Sequence, residues 1–148
     1  MLAVTAWEAD VPGALASPLA VQRPNVYAAG RRDSGMESMS PAGGETVEVV
    51  DGVHLTQLVA GERMSIQHFH IEPGARVPEH SHEHEQAGMV TNGTFTFSLA
   101  DEEEVISPGE TYVIPGGARH AAENEADVPV DGIDVFSPPR LNPDWMEG

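Results

Sequence analysis

Four residues have the types and spacing of a divalent-metal site. His80, His82 and Gln86 lie in GARVPEHSHEHEQAGMVTNG (Gly74–Gly93), and His120 lies in GETYVIPGGARHAAEN (Gly109–Asn124). On a strand, residues two apart share a face, so His80 and His82 are expected to point together, with Gln86 keeping their parity across a short turn. His120, near the end of another strand, is expected to close the site from across a barrel. Three imidazoles and an amide oxygen suit one Zn²⁺, Ni²⁺, Fe²⁺, Co²⁺ or Mn²⁺ ion, and affinity alone does not choose among these. Because the ligands are neutral, the ion would keep its full charge and act as a strong Lewis acid toward an anionic substrate. Gln in place of the carboxylate of a non-haem iron site argues against O₂ chemistry, although a dioxygenase stays open if the ion is Fe²⁺.

A second group sits in DVFSPPR (Asp134–Arg140). Asp134 and Phe136 share strand parity and are expected to face the interior with the metal. Arg140, past Pro138-Pro139, is expected at the rim, where a guanidinium can grip a substrate carboxylate in bidentate fashion. Asp134 is the candidate general acid or base. The alternatives are a rim salt bridge for Arg140, a structural hydrogen-bond acceptor role for Asp134, and for Gln86 a packing role behind the ligands. Among the other histidines, His68 and His70 in MSIQHFHI read as a strand face lining or flanking the pocket. His54 reads as a surface strand residue and His84 as a solvated loop residue.

Short strand-like segments must position these residues. From Thr46 the chain shows TVEVV, VHLTQLVA, MSIQHFHI, QAGMV, TFTFSLA, EVIS, TYVIP, RHAAEN and VDGIDVFSP, separated by Gly-, Pro- and Asn-rich turn signals. Asn92-Gly93 between two alternating runs predicts a hairpin. Strands recurring about every ten residues without helices between them predict an antiparallel sandwich or barrel over 46–140. Phe95, Phe97, Leu99, Val113 and Ile114 are the expected core, and Asp101–Glu104 a solvated hairpin tip. Residues 1–45 carry four prolines and a polar Gly/Ser-rich stretch, so they read as an irregular arm, with Val21–Ala29 a candidate strand. Residues 141–148 read as a tail.

The 148 residues carry 7 basic and 24 acidic side chains, a net charge of −17. Such a surface repels phosphate backbones, which argues against nucleic acid as a partner. All the basic residues are Arg, and an acidic shell without Lys is expected of a salt-adapted protein, high-GC codon bias being the alternative. The chain has no cysteine, which excludes disulfides and thiolate chemistry. No stretch approaches the length of a membrane helix, and the N-terminus lacks the basic start of a signal peptide. A cytoplasmic protein is expected.

The two metal-ligand segments resemble the two motifs of the cupin superfamily, G-x5-H-x-H-x3-E-x6-G and G-x5-P-x-G-x2-H-x3-N. Gly74, His80, His82 and Gly93 match the first, with Gln86 in place of Glu. Gly109, Pro115, Gly117, His120 and Asn124 match the second at every fixed position. The resemblance implies a small jelly-roll β-barrel holding a metal. HSHEHEQ (His80–Gln86) together with DVFSPPR is similar to the KdgF group of cupins, which convert 4,5-unsaturated uronates into their linear ketonised form. That resemblance implies metal ligation by His80, His82, Gln86 and His120, with Asp134, Phe136 and Arg140 acting on the substrate. The Gln also resembles that of a zinc-containing polyketide cyclase cupin. An isomerase or cyclase acting on a small acidic substrate is therefore expected, a non-catalytic binding module being the alternative. Sheet packing and the arm suggest a homodimer.

Overall fold

The computed structural model describes residues 35–141. The candidate strand Val21–Ala29, most of the arm and nearly all of the tail lie outside them. After a 3-10 turn at Pro41–Gly43, ten strands follow. They are β1 (Thr46–Val50), β2 (Val53–Ala60), β3 (Ser65–Ile71), β4 (Arg76–His80), β5 (Glu85–Asn92), β6 (Phe95–Leu99), β7 (Glu102–Ile106), β8 (Thr111–Ile114), β9 (His120–Glu123) and β10 (Val130–Ser137). No helix among the described residues is long and apolar enough to cross a membrane.

The strands form a six-stranded sheet in the order β1-β2-β3-β10-β5-β8 and a four-stranded sheet in the order β4-β9-β6-β7. All pairings are antiparallel. This is the jelly-roll arrangement, but the sheets face each other as two layers and no ladder closes them into a barrel. The open edge at β7 exposes Glu102, Glu103 and Glu104, a row of charge that discourages edge-to-edge pairing. Only Asp101 of the acidic run belongs to the turn; the three glutamates are strand residues.

Burial follows the side-chain alternation. In β10, Val130, Gly132, Asp134 and Phe136 are buried while the residues between them are not. Inward residues of both sheets, among them Leu55, Phe69, Val77, Phe95, Phe97 and Phe136, make one apolar core. Aromatic contacts tie the layers: Phe69 stacks on Phe95 with centroids 5.6 Å apart, and Phe97 meets Tyr112 at 5.0 Å. Of the expected core, Phe95, Phe97 and Ile114 are buried and Leu99 packs at the margin. Val113 is 62% exposed, because Tyr112 and Ile114 hold the inward positions of β8.

Asn92-Gly93 is not a hairpin. The strands on either side belong to different sheets, so the dipeptide carries the chain from one layer to the other. Gly93 has φ 76°, and a Cβ there would lie 2.3 Å from the Pro129 carbonyl oxygen, so the crossing needs glycine. A hairpin forms instead one strand later, where Ala100-Asp101 joins β6 to β7 with Leu99 opposite Glu102.

Asn124, the last position of the second motif, is fully buried. Its Nδ2 donates to the Ile71 and Val128 carbonyls at 3.0 and 2.8 Å, and its Oδ1 accepts from the Ala126 amide at 3.0 Å. One side chain thus stitches the end of β9 to the end of β3 and to the following loop. Asn124→Ala removes three hydrogen bonds, the one to the Ile71 carbonyl fully buried, and should destabilise the fold by ~3 kcal/mol. Urea unfolding of metal-free protein measures this, and a loss below ~1 kcal/mol would show that the side chain is not the stitch.

Candidate metal centre

His80 and His120 are direct cross-strand partners on β4 and β9, neighbours in the four-stranded sheet. His120 therefore reaches the site from beside His80, not from an opposite wall. His80 is the last residue of β4, and His82 lies beyond it in the loop leading to β5, so the loop brings His82 in and strand parity does not. Gln86 enters from β5 in the other sheet and is fully buried. The site forms where the β4–β5 connection passes between layers.

The three imidazole rings crowd together, with centroids 4.4 Å apart for His80 and His120, 5.0 Å for His82 and His120, and 5.7 Å for His80 and His82. One potential ligand atom from each lies within 4.8 Å of the others. Backbone carbonyls fix the tautomers. His80 Nδ1 donates to the Pro78 oxygen at 2.8 Å, His120 Nδ1 to Ala118 at 2.8 Å and His82 Nδ1 to His84 at 3.1 Å. A carbonyl can only accept, so Nδ1 carries the hydrogen in each ring and Nε2 carries the lone pair.

Two further observations test whether these residues fit a cation. The Gln86 amide oxygen lies 3.1 Å from His82 Nε2; with Nδ1 protonated, this sets one acceptor opposite another. His120 Nε2 is buried with no hydrogen-bond partner. Both are unfavourable arrangements in a bare site and are satisfied by a positive ion. The residues fit a divalent ion held by three Nε2 atoms and the Gln86 oxygen.

Burial keeps the imidazoles neutral, the form a metal needs. Desolvation pushes all three pKa values far below 6.5, and for His82 the Arg140 charge adds to the effect, taking it down to about 3. Phe136 packs edge-on to His82 at 5.6 Å, and the Arg140 guanidinium lies 5.6 Å over the Phe136 ring. Arg140 is only 5% exposed, so it is not a rim residue: stacking on Phe136 and the bond from its amide to Ser65 Oγ, 2.9 Å, draw it inward.

Asp134 is fully buried. Its Oδ1 accepts a 2.6 Å hydrogen bond from the Tyr112 hydroxyl. Desolvation pushes its pKa up to about 6, against the opposing pull of Tyr112, Gln86 and Arg140. Burial, with the Asp134 charge beside it, also drives the Tyr112 hydroxyl well above its usual value. In the ladder, Gly88 sits between Asp134 and Tyr112. A Cβ at Gly88 would lie 2.4 Å from both side chains, so this glycine is the gap that lets them meet. Sequence reasoning missed Tyr112 and Gly88; the inward parity of Tyr112 in TYVI was the available signal.

The remaining histidines lie elsewhere. His68 and His70 face outward from the six-stranded sheet onto Asp131, at 3.5 and 2.8 Å, and do not line the site. His84 is half-buried, with its ring 6.4 Å from Phe136, and is not a solvated loop residue.

The Cupin domain family model matches residues 67–136, a span that includes the candidate ligands, Asp134 and Phe136 and stops short of Arg140. Among curated proteins, mannose-1-phosphate guanylyltransferase ManC of Salmonella typhimurium is 31% identical over 86 residues, 57% of this chain and 18% of that protein. The Escherichia coli K12 mannose-1-phosphate guanylyltransferase is 29% identical over the same share. The chain thus spans under a fifth of the length of these relatives. Of solved structures, KdgF from Halomonas sp. is 26% identical, with 71% of this chain and 94% of that one covered and a TM-score of 0.63. The polyketide cyclase RemF from Streptomyces resistomycificus is 22% identical, with 70% and 80% covered and a TM-score of 0.62. An RmlC-like cupin from Shewanella frigidimarina is 21% identical, with 70% and 92% covered and a TM-score of 0.63.

Unfolding frees three histidines that bind protons below about pH 6.5, while the folded rings do not. Their contribution to stability therefore falls as pH drops below that value. Histidine NMR titration of metal-free protein should find the three rings neutral down to pH 5 or lower. A ring titrating near 6.5 would mean that the cluster is open to water.

Proposed function

Since the chain belongs to the cupin superfamily, we propose that it is a metal-dependent isomerase of small carboxylated sugars, with 4,5-unsaturated uronates as the substrate class. The observation that carries this reading is a buried Arg140 stacked on Phe136 and a buried Asp134 beside Gln86, next to three imidazoles held neutral. Similarity to KdgF over 94% of that protein supports it.

A divalent ion held by His80, His82, His120 and Gln86 would supply Lewis acidity toward substrate oxygens. Arg140 binds the substrate carboxylate, its charge strengthened by exclusion from water. Phe136 supports the guanidinium on one side and seals His82 on the other. Ketonisation is a redox-neutral rearrangement: the bond from C1 to the ring oxygen breaks, the C1 hydroxyl loses a proton to leave an aldehyde, and C4 gains a proton as C5 becomes a ketone. Asp134 serves this proton movement. A carboxyl with its pKa near 6 accepts and returns a proton at neutral pH. Tyr112 orients it without entering the chemistry.

Metal-loaded protein mixed with an unsaturated uronate, followed by NMR as the ring form disappears, tests the reading. No acceleration over buffer rejects this substrate class. Given turnover, Asp134→Asn should lower kcat by about 10²–10⁴-fold, whereas Arg140→Met should act mainly through KM. The low-pH limb of kcat/KM reports ionisation of Asp134. Tyr112 holds the Asp134 pKa down, so Tyr112→Phe should move that limb to higher pH. An unmoved limb would remove Tyr112 from the assignment.

A further inference from the structure

The outer face of the six-stranded sheet carries a second group of ligand-type side chains, apart from the interior site. Glu48 and His54 are direct cross-strand partners on β1 and β2, and Glu72 follows the end of β3. One potential ligand atom from each of the three lies within 4.8 Å of the others. His54 stands on a regular strand, yet its side chain is only 12% exposed, and its Nε2 lies 2.5 Å from Glu72 Oε2. Glu48 is exposed. An imidazole thus forms the floor and two carboxylates form the solvent side.

The backbone holds this group in place. Glu48 Oε2 accepts the Gly52 amide at 2.8 Å. The Glu72 amide donates to the Gly52 carbonyl, also at 2.8 Å, which ties the β1–β2 turn to the end of β3. At Gly52, φ 78°, a Cβ would lie only 2.6 Å from the Ala75 Cβ, so the turn packs closely against Ala75. The row continues across the sheet as Glu48, His54, His70 and Asp131 on four adjacent strands. Asp131 binds His70, and the His70 ring lies 5.7 Å from that of His54, which limits how far His54 can turn away.

We propose that Glu48, His54 and Glu72 form a second divalent-metal site. One imidazole and two carboxylates suit Zn²⁺, Mn²⁺ or Fe²⁺, with water completing the coordination. Two carboxylates cancel the ionic charge that the neutral interior ligands leave intact. The outer ion is therefore a weak Lewis acid, and its role is structural: it pins edge strand β1 and the β1–β2 turn to the end of β3.

Equilibrium dialysis against Zn²⁺ tests the proposal with wild-type protein, Glu48→Gln, Glu72→Gln and His120→Ala. The two Glu variants alter exposed side chains, and metal-free melting curves check that they fold. Wild type should bind two equivalents. Each Glu variant should keep the interior equivalent and bind the outer one at least about tenfold more weakly. His120→Ala should weaken the interior equivalent and spare the outer one. A single equivalent on wild type, or a second one indifferent to both Glu substitutions, overturns the proposal and leaves His54–Glu72 as an ion pair.

Discussion

One buried and two half-buried imidazoles, whose Nδ1 hydrogens are all committed to backbone carbonyls, leave three Nε2 lone pairs in one small space. Desolvation disfavours the usual escape, which is to protonate one ring. The Gln86 oxygen adds another acceptor at 3.1 Å from His82. Acceptors set against one another are expensive in a protein interior. The fold is therefore organised to receive a cation, and the surrounding sheets can be understood from that need.

The sheets meet the need from both layers. The four-stranded sheet supplies His80 and His120 side by side, the six-stranded sheet supplies Gln86, and the connection between them supplies His82. β10 runs past this point with its inward residues, Asp134 and Phe136, beside Gly88 and Gln86 of β5. Arg140 then folds back over Phe136. A neutral ligand set, a buried cation and a carboxyl with a raised pKa are thereby packed together in a chain of strongly negative charge. In that setting the charge favourable to an anion lies in the interior, with little of it on the surface.

Much of this was legible in the residues because it depends on local alternation. The bounds of β1 and β2 follow from TVEVV and VHLTQLVA, and the inward set of β10 follows from VDGIDVFS. Features that depend on partner choice were not legible. Asn92-Gly93 has hairpin chemistry but sits where the chain changes sheets, which only the pairing of β5 and β6 with other strands reveals. β4 escaped notice because RVPEH has one buried apolar residue and a proline, tolerable only on an edge strand. Arg140 was expected at the rim because a charge past two prolines usually stays wet; stacking on Phe136 and the tie to Ser65 outweigh that tendency here.

The central claim is that His80, His82, His120 and Gln86 are the ligands of one divalent ion. An anomalous-difference map from crystals of metal-loaded protein tests it most directly. The account predicts a peak between the sheets, about 2.0–2.2 Å from the Nε2 atoms of the three histidines and adjacent to the Gln86 oxygen. The absence of a peak between the sheets, or coordination through any Nδ1 of the three rings, would contradict it.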